Sequence, residues 1–304
     1  MRIGVIGAGL MGHGIALIFA KGGYEVSVYD PSLESLNALE TRVTDSLKVM
    51  GVHAQETNQI LSLIKKSSSL EGAVKEAEII IEAAPEKLEL KQSIFAEIEF
   101  HAPANSILAS NTSVIQISKI MKNLSSKHRA LGTHWWNPPH LIPLVEVIRT
   151  EWTDNSVIEK MVSILSSIGK TPVRVEKDVP GFIGNRLQSA LWREAISLVE
   201  NGICDAEAVD TVVKESFGRR LAVLGPLENA DLVGTDLTLD IHNQVLFDLE
   251  ARKGPSPYLE NLVNTQKLGM KSGAGFRNWT PQETEDVRIR LSEHLIKLEG
   301  ILKK

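Results

Sequence analysis

Cysteine is nearly absent from this 304-residue chain, which contains only Cys204. A single cysteine cannot form a disulfide within the chain, and this composition is typical of a reducing compartment. Long apolar runs are also missing, since no stretch approaches the roughly 20 apolar residues that a membrane-spanning helix requires. Glycines interrupt the apolar pattern of the first residues, MRIGVIGAGLMGHG, which therefore do not resemble a signal peptide. We expect a cytoplasmic protein that does not enter a membrane.

Runs of basic residues are missing as well. The chain has 33 Lys and Arg against 38 Asp and Glu, which gives a formal net charge of −5. A mildly acidic chain without a basic cluster is poorly suited to nucleic acid or to an anionic membrane surface. Hydrophobic residues make up 43% of the sequence, so a chain of this length can bury one large core or two ordinary ones. These features indicate a globular protein.

The first half of the chain alternates β-rich runs with segments of helical spacing. Strands are predicted at residues 3–6, 26–29, 79–82, 106–110, 144–148 and 172–175. Helices are predicted at residues 15–21, 33–50, 87–98 and 154–168. This alternation predicts an α/β fold, with a doubly wound and mostly parallel sheet that has helices on both faces.

The pattern changes near Pro180-Gly181. Residues 182–216, 227–250 and 283–302 favour helix, and no later run has the β-branched composition of a strand. Gly225-Pro226 interrupts these helical segments. We therefore predict an α/β domain over residues 1–179 and an all-helical C-terminal domain over residues 180–304.

A glycine-rich motif follows the first predicted strand. The sequence GAGLMG at residues 7–12 matches G-x-G-x-x-G and precedes a predicted helix. In a Rossmann-type fold the first glycine allows a tight turn, the second lets the backbone approach a pyrophosphate, and the third lets the helix pack on the strand. A glycine-rich turn without a ligand is the alternative. The predicted cofactor contacts here are Gly7, Gly9, Leu10, Met11 and Gly12.

An acidic residue ends the second predicted strand. Asp30 lies about 20 residues after Gly9, where a carboxylate can accept hydrogen bonds from an adenosine ribose. Its charge would repel a 2′-phosphate, and Pro31-Ser32-Leu33 contains no arginine to bind one. NAD is therefore predicted as the cofactor rather than NADP. A role as a helix cap or turn residue before Pro31 is the alternative for Asp30.

A histidine with aromatic neighbours lies in the stretch GTHWWNPPHLIPLVEVI, residues 132–148. His134 falls at a strand–loop junction, and Glu146 falls within a mostly apolar strand. An unpaired carboxylate in such a strand is unfavourable, whereas a neighbouring imidazole stabilises it. The carboxylate in turn fixes the tautomer and raises the basicity of the histidine. We predict that His134 is a general base with Glu146 as its partner; a structural histidine is the alternative.

Several motifs, in order along the chain, resemble the 3-hydroxyacyl-CoA dehydrogenase family. They are GAGLMGHGIA, EAAPEKLELK, ASNTS, HWWNPP, DVPGFIGNRL and KSGAGF, and they cover nearly the whole chain. The resemblance implies an NAD-dependent dehydrogenase in which His134 takes the proton of a secondary alcohol and Glu146 orients His134. It also implies that Ser113 and Asn185 contact the reacting oxygen, and that the helical domain forms a homodimer.

The resemblance implies further cofactor contacts, each with a simpler alternative. Lys91 could pair with an acidic residue on a helix surface, Ser113 could cap a helix beginning at Val114, and Asn185 could face solvent on a helix. The implied contacts are Glu86, Lys91, Asn111, Asn137 and Lys271.

The chain departs from the acyl-CoA members of the family where lysines would suit the CoA phosphates. Residues 49–59, in the helical excursion after the second strand, contain no Lys or Arg, although Lys48, Lys65 and Lys66 flank them. The segments NPPHLIPL, PVRV and GFIGNRLQ resemble instead a branch that includes gulonate 3-dehydrogenase, carnitine dehydrogenase and a pyridine-carboxylate dehydrogenase. The predicted substrate is a 3-hydroxy acid or its acyl-CoA thioester, and these departures favour a small free carboxylate.

Two arginines occur where acyl-CoA members usually have small or apolar residues. An arginine fork binds a carboxylate in bidentate geometry, so we predict that Arg220, with Arg219 nearby, binds a substrate carboxylate. A solvated pair at a helix end is the alternative. Trp135-Trp136 also replaces a smaller aromatic pair of the relatives, and we expect the larger rings to narrow the pocket.

Two rival functions remain. A short-chain 3-hydroxyacyl-CoA dehydrogenase, such as one acting on 3-hydroxybutyryl-CoA, shares the chemistry and differs in the substrate. A non-catalytic NAD(H)-binding structural protein belongs to a different class, although the presence of both His134 and Glu146 opposes it. The expected ligands are NAD and a small-molecule substrate, and no metal site is predicted.

Overall fold

The β-rich runs of the first half form one eight-stranded sheet. In sheet order the strands are β3, β2, β1, β4, β5, β6, β7 and β8, and every neighbouring pair is parallel except β6 with β7. Because parallel strands end at the same edge, the loops after β1, β2, β4 and β5 lie along one edge. The strands are β1 (Arg2–Ile6), β2 (Glu25–Tyr29), β3 (Ile64–Lys66), β4 (Ile79–Glu82), β5 (Ile107–Ser110), β6 (Ala130–Trp135), β7 (Leu144–Ile148) and β8 (Thr171–Val175).

The structure is a computed structural model that describes residues 1–302. It contains two units, Met1–Arg186 and a second unit that begins at Leu187. The first unit has eight α-helices among its described residues: α1 (Gly12–Lys21), α2 (Leu33–Asn37), α3 (Leu39–Val49), α4 (Ala54–Ser62), α5 (Leu70–Val74), α6 (Leu88–His101), α7 (Ile117–Ile120) and α8 (Asn155–Ser167). No helix within residues 1–302 is long and apolar enough to cross a membrane.

The second part of the chain is helical. Residues 187–302 contain no strand, only isolated bridges around Ala274. The predicted fold, a doubly wound and mostly parallel sheet followed by a helical part, is confirmed. The helices are α9 (Gly184–Glu200), α10 (Ala206–Glu215), α11 (Pro226–Val233), α12 (Thr235–Val245), α13 (Pro257–Asn264) and α14 (Pro281–Leu302).

Apolar residues on both faces of the sheet form the core of the first unit. All four residues of β4 are buried, as expected for a strand that helices cover on both sides. Nine of the ten residues of helix α1 are buried, because the helix packs directly on β1 and against neighbouring helices. The glycine-rich loop between β1 and α1 therefore connects two elements that are held rigidly.

Some elements differ from the predictions. Strands β3 and β6 were not predicted, since β3 carries two lysines and β6 contains a glycine and a histidine rather than a β-branched run. The single helix predicted over residues 33–50 is two helices, α2 and α3, with a break at Ala38. The long helical segment after 227 is divided at Gly234, where φ is 100°, and α13 was not predicted.

A loop rich in proline packs against the first turn of α1. A Cβ on Gly14 would lie 2.4 Å from Cγ of Pro139, so only glycine lets this loop approach α1 so closely. The ring of His140 lies 6.2 Å from that of His13, and its Nδ1 is buried without a hydrogen-bond partner in the described structure. Lys170 Nζ donates to the carbonyls of Pro139 and Ile142, at 2.6 and 2.9 Å.

Burial lowers the pKa of His140 to about 4, with the nearby His13 and Lys170 contributing in the same direction. A histidine with a lowered pKa binds a proton less readily in the folded chain than in the unfolded chain. Its effect on stability is therefore absent above the unfolded pKa of 6.5, and the folded state loses stability as the pH falls from 6.5 towards 4.

We expect His140→Gln to remove part of the acid sensitivity of the fold. Between pH 6.5 and 4 the variant should lose about 3 kcal/mol less free energy of unfolding than the unmodified chain. Urea denaturation followed by tryptophan fluorescence at several pH values measures this difference. His53→Gln, at an exposed histidine, serves as the control. Equal pH dependence in all three proteins would show that His140 is not the group that titrates.

Candidate active site

The glycine-rich loop has open space beside one of its glycines, where a ligand could lie, and is closely packed beside two others. Gly7 has φ of 112°, and a Cβ there would lie 2.7 Å from the carbonyl oxygen of Ala83. A Cβ on Gly12 would lie 1.8 Å from the carbonyl oxygen of Gly7, whereas one on Gly9 would meet nothing within 4 Å. No side chain caps the N-terminus of α1, and its first turn has no acidic residue. This arrangement fits the diphosphate of a dinucleotide.

Asp30 lies directly beside this loop. Its Oδ2 accepts a hydrogen bond from the Ala8 N–H at 2.7 Å, and its Oδ1 accepts one from the Ser32 N–H at 2.8 Å. Asp30 thus has the turn role considered above, while Ser32, not Asp30, caps α2. The half-buried carboxylate retains lone pairs that can accept ribose hydroxyl groups.

His134 and Glu146 are directly opposite each other on β6 and β7. The antiparallel register pairs the two residues, so that their side chains point to the same face of the sheet. His134 Nδ1 lies 2.7 Å from Glu146 Oε2, and the two side chains are only 4% and 1% exposed. The other carboxylate oxygen, Oε1, accepts hydrogen bonds from the N–H groups of Ile183 and Gly184, at 2.8 and 3.1 Å.

These contacts keep Glu146 ionised. Burial alone would raise its pKa, but hydrogen bonds from His134, Ile183 and Gly184, with the charge of His134, outweigh burial and lower the pKa. An ionised carboxylate can only accept, so Nδ1 of His134 must be the donor. In the neutral ring, Nε2 then carries the lone pair. The pair therefore has the proton arrangement that a general base requires.

Aromatic rings surround the imidazole of His134. The rings of Trp136 and Phe182 lie 5.3 and 5.7 Å from it. Phe182 is buried and has φ of 49°, a backbone conformation that is rare for a bulky residue and that is often found at functional sites. Trp136 lies against Gly184, where a Cβ would be 2.3 Å from the indole.

Trp135 has a different environment from Trp136. Side chains alternate along a strand, so Trp135 points to the opposite face from His134. It is 2% exposed, packs on Phe19 at 5.9 Å and lies beneath Lys170. The expectation that both large rings narrow the pocket is therefore wrong for Trp135, which belongs to the core.

Glu86 organises the loop that carries Ser113. It accepts a short hydrogen bond from the Thr112 hydroxyl and bonds from the N–H groups of Ser113, Val114 and Ile115. Asn185 Nδ2 donates to the Ser113 carbonyl at 2.8 Å, so this side chain is not simply solvated. The next helix begins at Ile117, not at Val114, and the Asp178 carboxylate accepts its first N–H groups. Ser113 therefore does not cap the predicted helix.

Lys91 is a buried residue, not a surface one. Its Nζ is 2.7 Å from Glu82 Oε1, 3.0 Å from the Ala84 carbonyl and 3.6 Å from Glu86, and the side chain is 1% exposed. The Ser110 hydroxyl donates to the other oxygen of Glu82 at 2.6 Å. The alternative of a helix-surface pairing for Lys91 is wrong in its location, while the predicted cofactor contact stays a prediction. Sequence reasoning missed Glu82, although an acidic residue ending an apolar strand was a visible signal.

The remaining predicted residues have varied environments. Asn111 is buried, and its Oδ1 accepts a hydrogen bond from the Trp135 N–H at 2.9 Å, which connects the ends of β5 and β6. Asn137 is exposed and precedes a cis peptide bond to Pro138. Leu10 is 66% exposed at the tip of the glycine-rich loop.

Three predicted residues lie in the second unit. Arg219 forms an ion pair with Glu215 at 2.6 Å, one helical turn away, as the helix-end alternative anticipated. Arg220 is exposed, and no carboxylate of residues 1–302 lies within 4 Å of its guanidinium. Lys271 is exposed in the turn between Gly269 and Ala274, which form one isolated bridge.

Sequence reasoning also missed Arg42 of α3. Its Nη1 donates a hydrogen bond of 2.8 Å to the carbonyl of Ala8, within the glycine-rich loop. No motif contains this arginine. Its spacing of four residues from the buried Ser46 was the only signal that it faces the loop.

The fold and the loop geometry indicate a dinucleotide-binding protein, and comparison with known proteins gives the family. Residues 2–179 match the model of the 3-hydroxyacyl-CoA dehydrogenase NAD-binding domain, and residues 181–279 match that of the C-terminal domain. The chain belongs to the 3-hydroxyacyl-CoA dehydrogenase family. The predictions of this family, of NAD as cofactor and of an oxidoreductase acting on CH–OH groups are confirmed.

Relatives of this chain differ in substrate. It is 34% identical, over 99% of its length and 98% of the relative's, to 5-formyl-3-hydroxy-2-methylpyridine 4-carboxylate 5-dehydrogenase of Mesorhizobium japonicum. A crystal structure of a dehydrogenase of this substrate, described as an NAD⁺-dependent dismutase, matches with a TM-score of 0.92 at 33% identity, covering 99% and 98% of the two chains. A 3-hydroxybutyryl-CoA dehydrogenase of Mycobacterium tuberculosis is 36% identical over 90% of this chain and 97% of its own.

We expect Glu146→Gln to destabilise the fold by about 1–3 kcal/mol at neutral pH. The amide keeps the shape but loses the charge, and it cannot accept from His134 and from both N–H groups. Because the carboxylate has a lowered pKa, its contribution is present above about pH 4.5 and is lost as the pH falls further. The difference between the two proteins should therefore shrink in acid.

Urea denaturation at neutral and acidic pH checks this expectation. Glu176→Gln is the matched control, because Glu176 is exposed and its ion pair with Arg149, at 3.4 Å, should contribute less than about 0.5 kcal/mol. Equal stability of the Glu146 and Glu176 variants would contradict the argument that Glu146 is a buried and ionised group.

Proposed function

We propose that this chain oxidises the secondary alcohol of a small free hydroxy acid, with NAD as the oxidant and His134 as the base. The observation that carries the proposal is the buried pair of His134 Nδ1 and Glu146 Oε2, 2.7 Å apart, in the same sheet whose first strand leads into a loop that fits a dinucleotide. Burying a charge has a desolvation cost, and buried, strongly perturbed ionisable pairs of this kind cluster at functional sites.

In the proposed reaction His134 Nε2 takes the hydroxyl proton of the substrate. When bound, NAD would supply the acceptor for the hydride that leaves the carbon carrying the hydroxyl group, so that the C–OH would become a C=O. The charge that then develops on the imidazole is balanced by the Glu146 carboxylate at Nδ1. We propose that Ser113 and Asn185 contact the reacting oxygen. The hydrogen bond from Asn185 to the Ser113 carbonyl supports this, because it keeps the two residues together.

We propose that residues 1–179 hold the cofactor, with Lys271 as one further contact, and that residues 180–304 form a helical domain for substrate binding and dimerisation. The uncapped N-terminus of α1 and the open side of Gly9 support the first part. Asp30 would accept the ribose hydroxyl groups. The proposed cofactor contacts are Gly7, Gly9, Leu10, Met11, Gly12, Asp30, Glu86, Lys91, Asn111, Asn137 and Lys271.

The proposed substrate is a free carboxylate rather than a thioester. Two features support it: the absence of basic residues in 49–59, and a pyridine-carboxylate dehydrogenase among the relatives that match almost the whole chain. A short-chain 3-hydroxyacyl-CoA dehydrogenase remains the second candidate, because a 3-hydroxybutyryl-CoA dehydrogenase is as similar in sequence. Arg220 is proposed to bind the carboxylate, and its lack of an ion pair within the described residues supports this.

We propose that the protein is a homodimer. Large apolar side chains are exposed along α11, α12 and the segment that follows, including Leu227 at 80%, Leu232 at 73% and Phe247 at 81%. A soluble monomer rarely exposes so many together, and a second copy is the simplest cover. A cytoplasmic location remains a prediction from composition.

A substrate panel with a His134→Gln control tests the proposed function. NAD reduction is compared for free 3-hydroxybutyrate, L-gulonate, L-carnitine, hydroxylated pyridine carboxylates and L-3-hydroxybutyryl-CoA. We expect turnover of a free acid, and we expect His134→Gln to lower kcat by about 10²–10⁴-fold while the Kd for NAD is unchanged. Turnover of the thioester alone would favour the second candidate. NAD binding without any turnover would favour a structural NAD(H)-binding protein.

The role of Arg220 has its own test. Arg220→Ala should raise KM for the best free acid by about tenfold or more, because a charge-assisted contact is lost, with kcat changed far less. Arg219→Ala is the matched control, since that side chain already pairs with Glu215. Sedimentation velocity shows whether either variant alters the oligomeric state. An unchanged KM in a variant that keeps its oligomeric state would remove Arg220 from the substrate site.

A further inference from the structure

Arg42 is an arginine that faces the glycine-rich loop but belongs to no dinucleotide motif. It lies on α3, half-buried, and its Nη1 donates to the Ala8 carbonyl at 2.8 Å. Among residues 1–302 no carboxylate lies within 4 Å of its guanidinium. A guanidinium has five N–H groups, so one hydrogen bond to a carbonyl leaves most of its donors available. A half-buried cation without an anionic partner suggests that the partner is a ligand.

The same face of α3 holds the loop at a second point. Ser46, one turn after Arg42, lies 3.2 Å from His13 Nε2, and His13 Nδ1 lies 2.9 Å from the Gly9 carbonyl. A carbonyl can only accept, so Nδ1 is the donor. Burial lowers the pKa of His13, and the charge of Arg42 acts in the same direction, so the neutral ring is favoured. In the neutral ring Nε2 accepts from the Ser46 hydroxyl. Arg42 is thus the cation at this side of the loop.

Two charged side chains form hydrogen bonds with the two backbone groups of Ala8. Asp30 accepts from the Ala8 N–H at 2.7 Å, while Arg42 donates to the Ala8 carbonyl. A carboxylate suits ribose hydroxyl groups and repels phosphate, whereas a guanidinium suits phosphate. The open side of Gly9 and the uncapped N-terminus of α1 adjoin this point.

We propose that Arg42 binds the diphosphate of NAD, as a cofactor-affinity residue that supplements the N-terminus of α1. The inference rests on NAD binding and deepens the proposed function, because it assigns a charged contact to a loop whose motif provides only backbone N–H groups. Arg42 also holds the loop through Ala8, and the phosphate contact is separate from that positioning.

Binding of cofactor fragments separates the two roles. The dissociation constants of adenosine, ADP-ribose, NAD and NADP are measured by calorimetry, with competition against NAD for the weak ligands. The proteins are the unmodified chain, Arg42→Ala and Arg42→Lys. Lys48→Ala is the control for net charge, since Lys48 is exposed on the same helix, and Ser46→Ala is the control for loop support.

We expect Arg42→Ala to raise the dissociation constants of ADP-ribose and NAD by about tenfold or more, and that of adenosine by less than about twofold. Arg42→Lys should recover part of the loss, and Lys48→Ala should cause none. The affinity for NAD should also depend less on salt in Arg42→Ala, because one phosphate contact is missing. Ser46→Ala should affect adenosine and ADP-ribose to the same degree, since it alters only the loop.

Several results would overturn the proposal. An equal loss for adenosine and ADP-ribose in Arg42→Ala would show that Arg42 only positions the loop. A loss confined to NADP would place the contact at a 2′-phosphate. Unchanged NAD binding, with weaker binding of free CoA to the NAD-saturated protein, would assign Arg42 to a substrate phosphate. If the unmodified chain does not bind NAD, the proposed function fails before Arg42 is tested.

Discussion

The ionised carboxylate of Glu146 is the constraint on which the candidate site depends. A charge that is 1% exposed must be balanced on every side, and here one oxygen accepts from His134 while the other accepts from two backbone N–H groups. The antiparallel pairing of β6 with β7 sets the first contact, and the start of α9 provides the second. The carboxylate therefore connects the sheet, His134 and the backbone of Ile183 and Gly184. A change at any of the three would disturb the other two.

A second buried charge network organises the neighbouring edge of the sheet. Glu82 ends β4, accepts from Lys91 and from the Ser110 hydroxyl, and so connects β4, β5 and α6. Lys91 also approaches Glu86. The Glu86 carboxylate holds the loop of Ser113 by accepting hydrogen bonds from backbone N–H groups of that loop. Buried ion pairs contribute little net stability, but they specify geometry. Here they orient loops that adjoin the glycine-rich loop and the His134–Glu146 pair.

The sequence predicted the parts of this molecule that follow from periodicity and from local motifs. Six strands, the glycine-rich loop and the pairing of His134 with Glu146 follow from apolar runs, glycine spacing and the cost of an unpaired acid in a strand. Strand β6 was missed because its burial comes from its neighbours, not from β-branched residues. Arg42 and Lys91 were missed or misplaced because their environments arise from contacts between elements that are far apart in sequence, which no single-segment pattern records.

The same reasoning explains why the chemistry of this family is easier to infer than its substrate. The hydrogen-bonded arrangement of His134 and Glu146 depends on the register of two adjacent strands. Substrate recognition depends on side chains in loops and in the helical part. There, a few substitutions can change which anionic group of a substrate is bound without disturbing the sheet. Relatives of similar identity can therefore share one catalytic arrangement, and one can be a pyridine-carboxylate dehydrogenase while another is a 3-hydroxybutyryl-CoA dehydrogenase. For this chain the proposed substrate class rests on the distribution of arginine and lysine outside the sheet, and not on the His134–Glu146 pair.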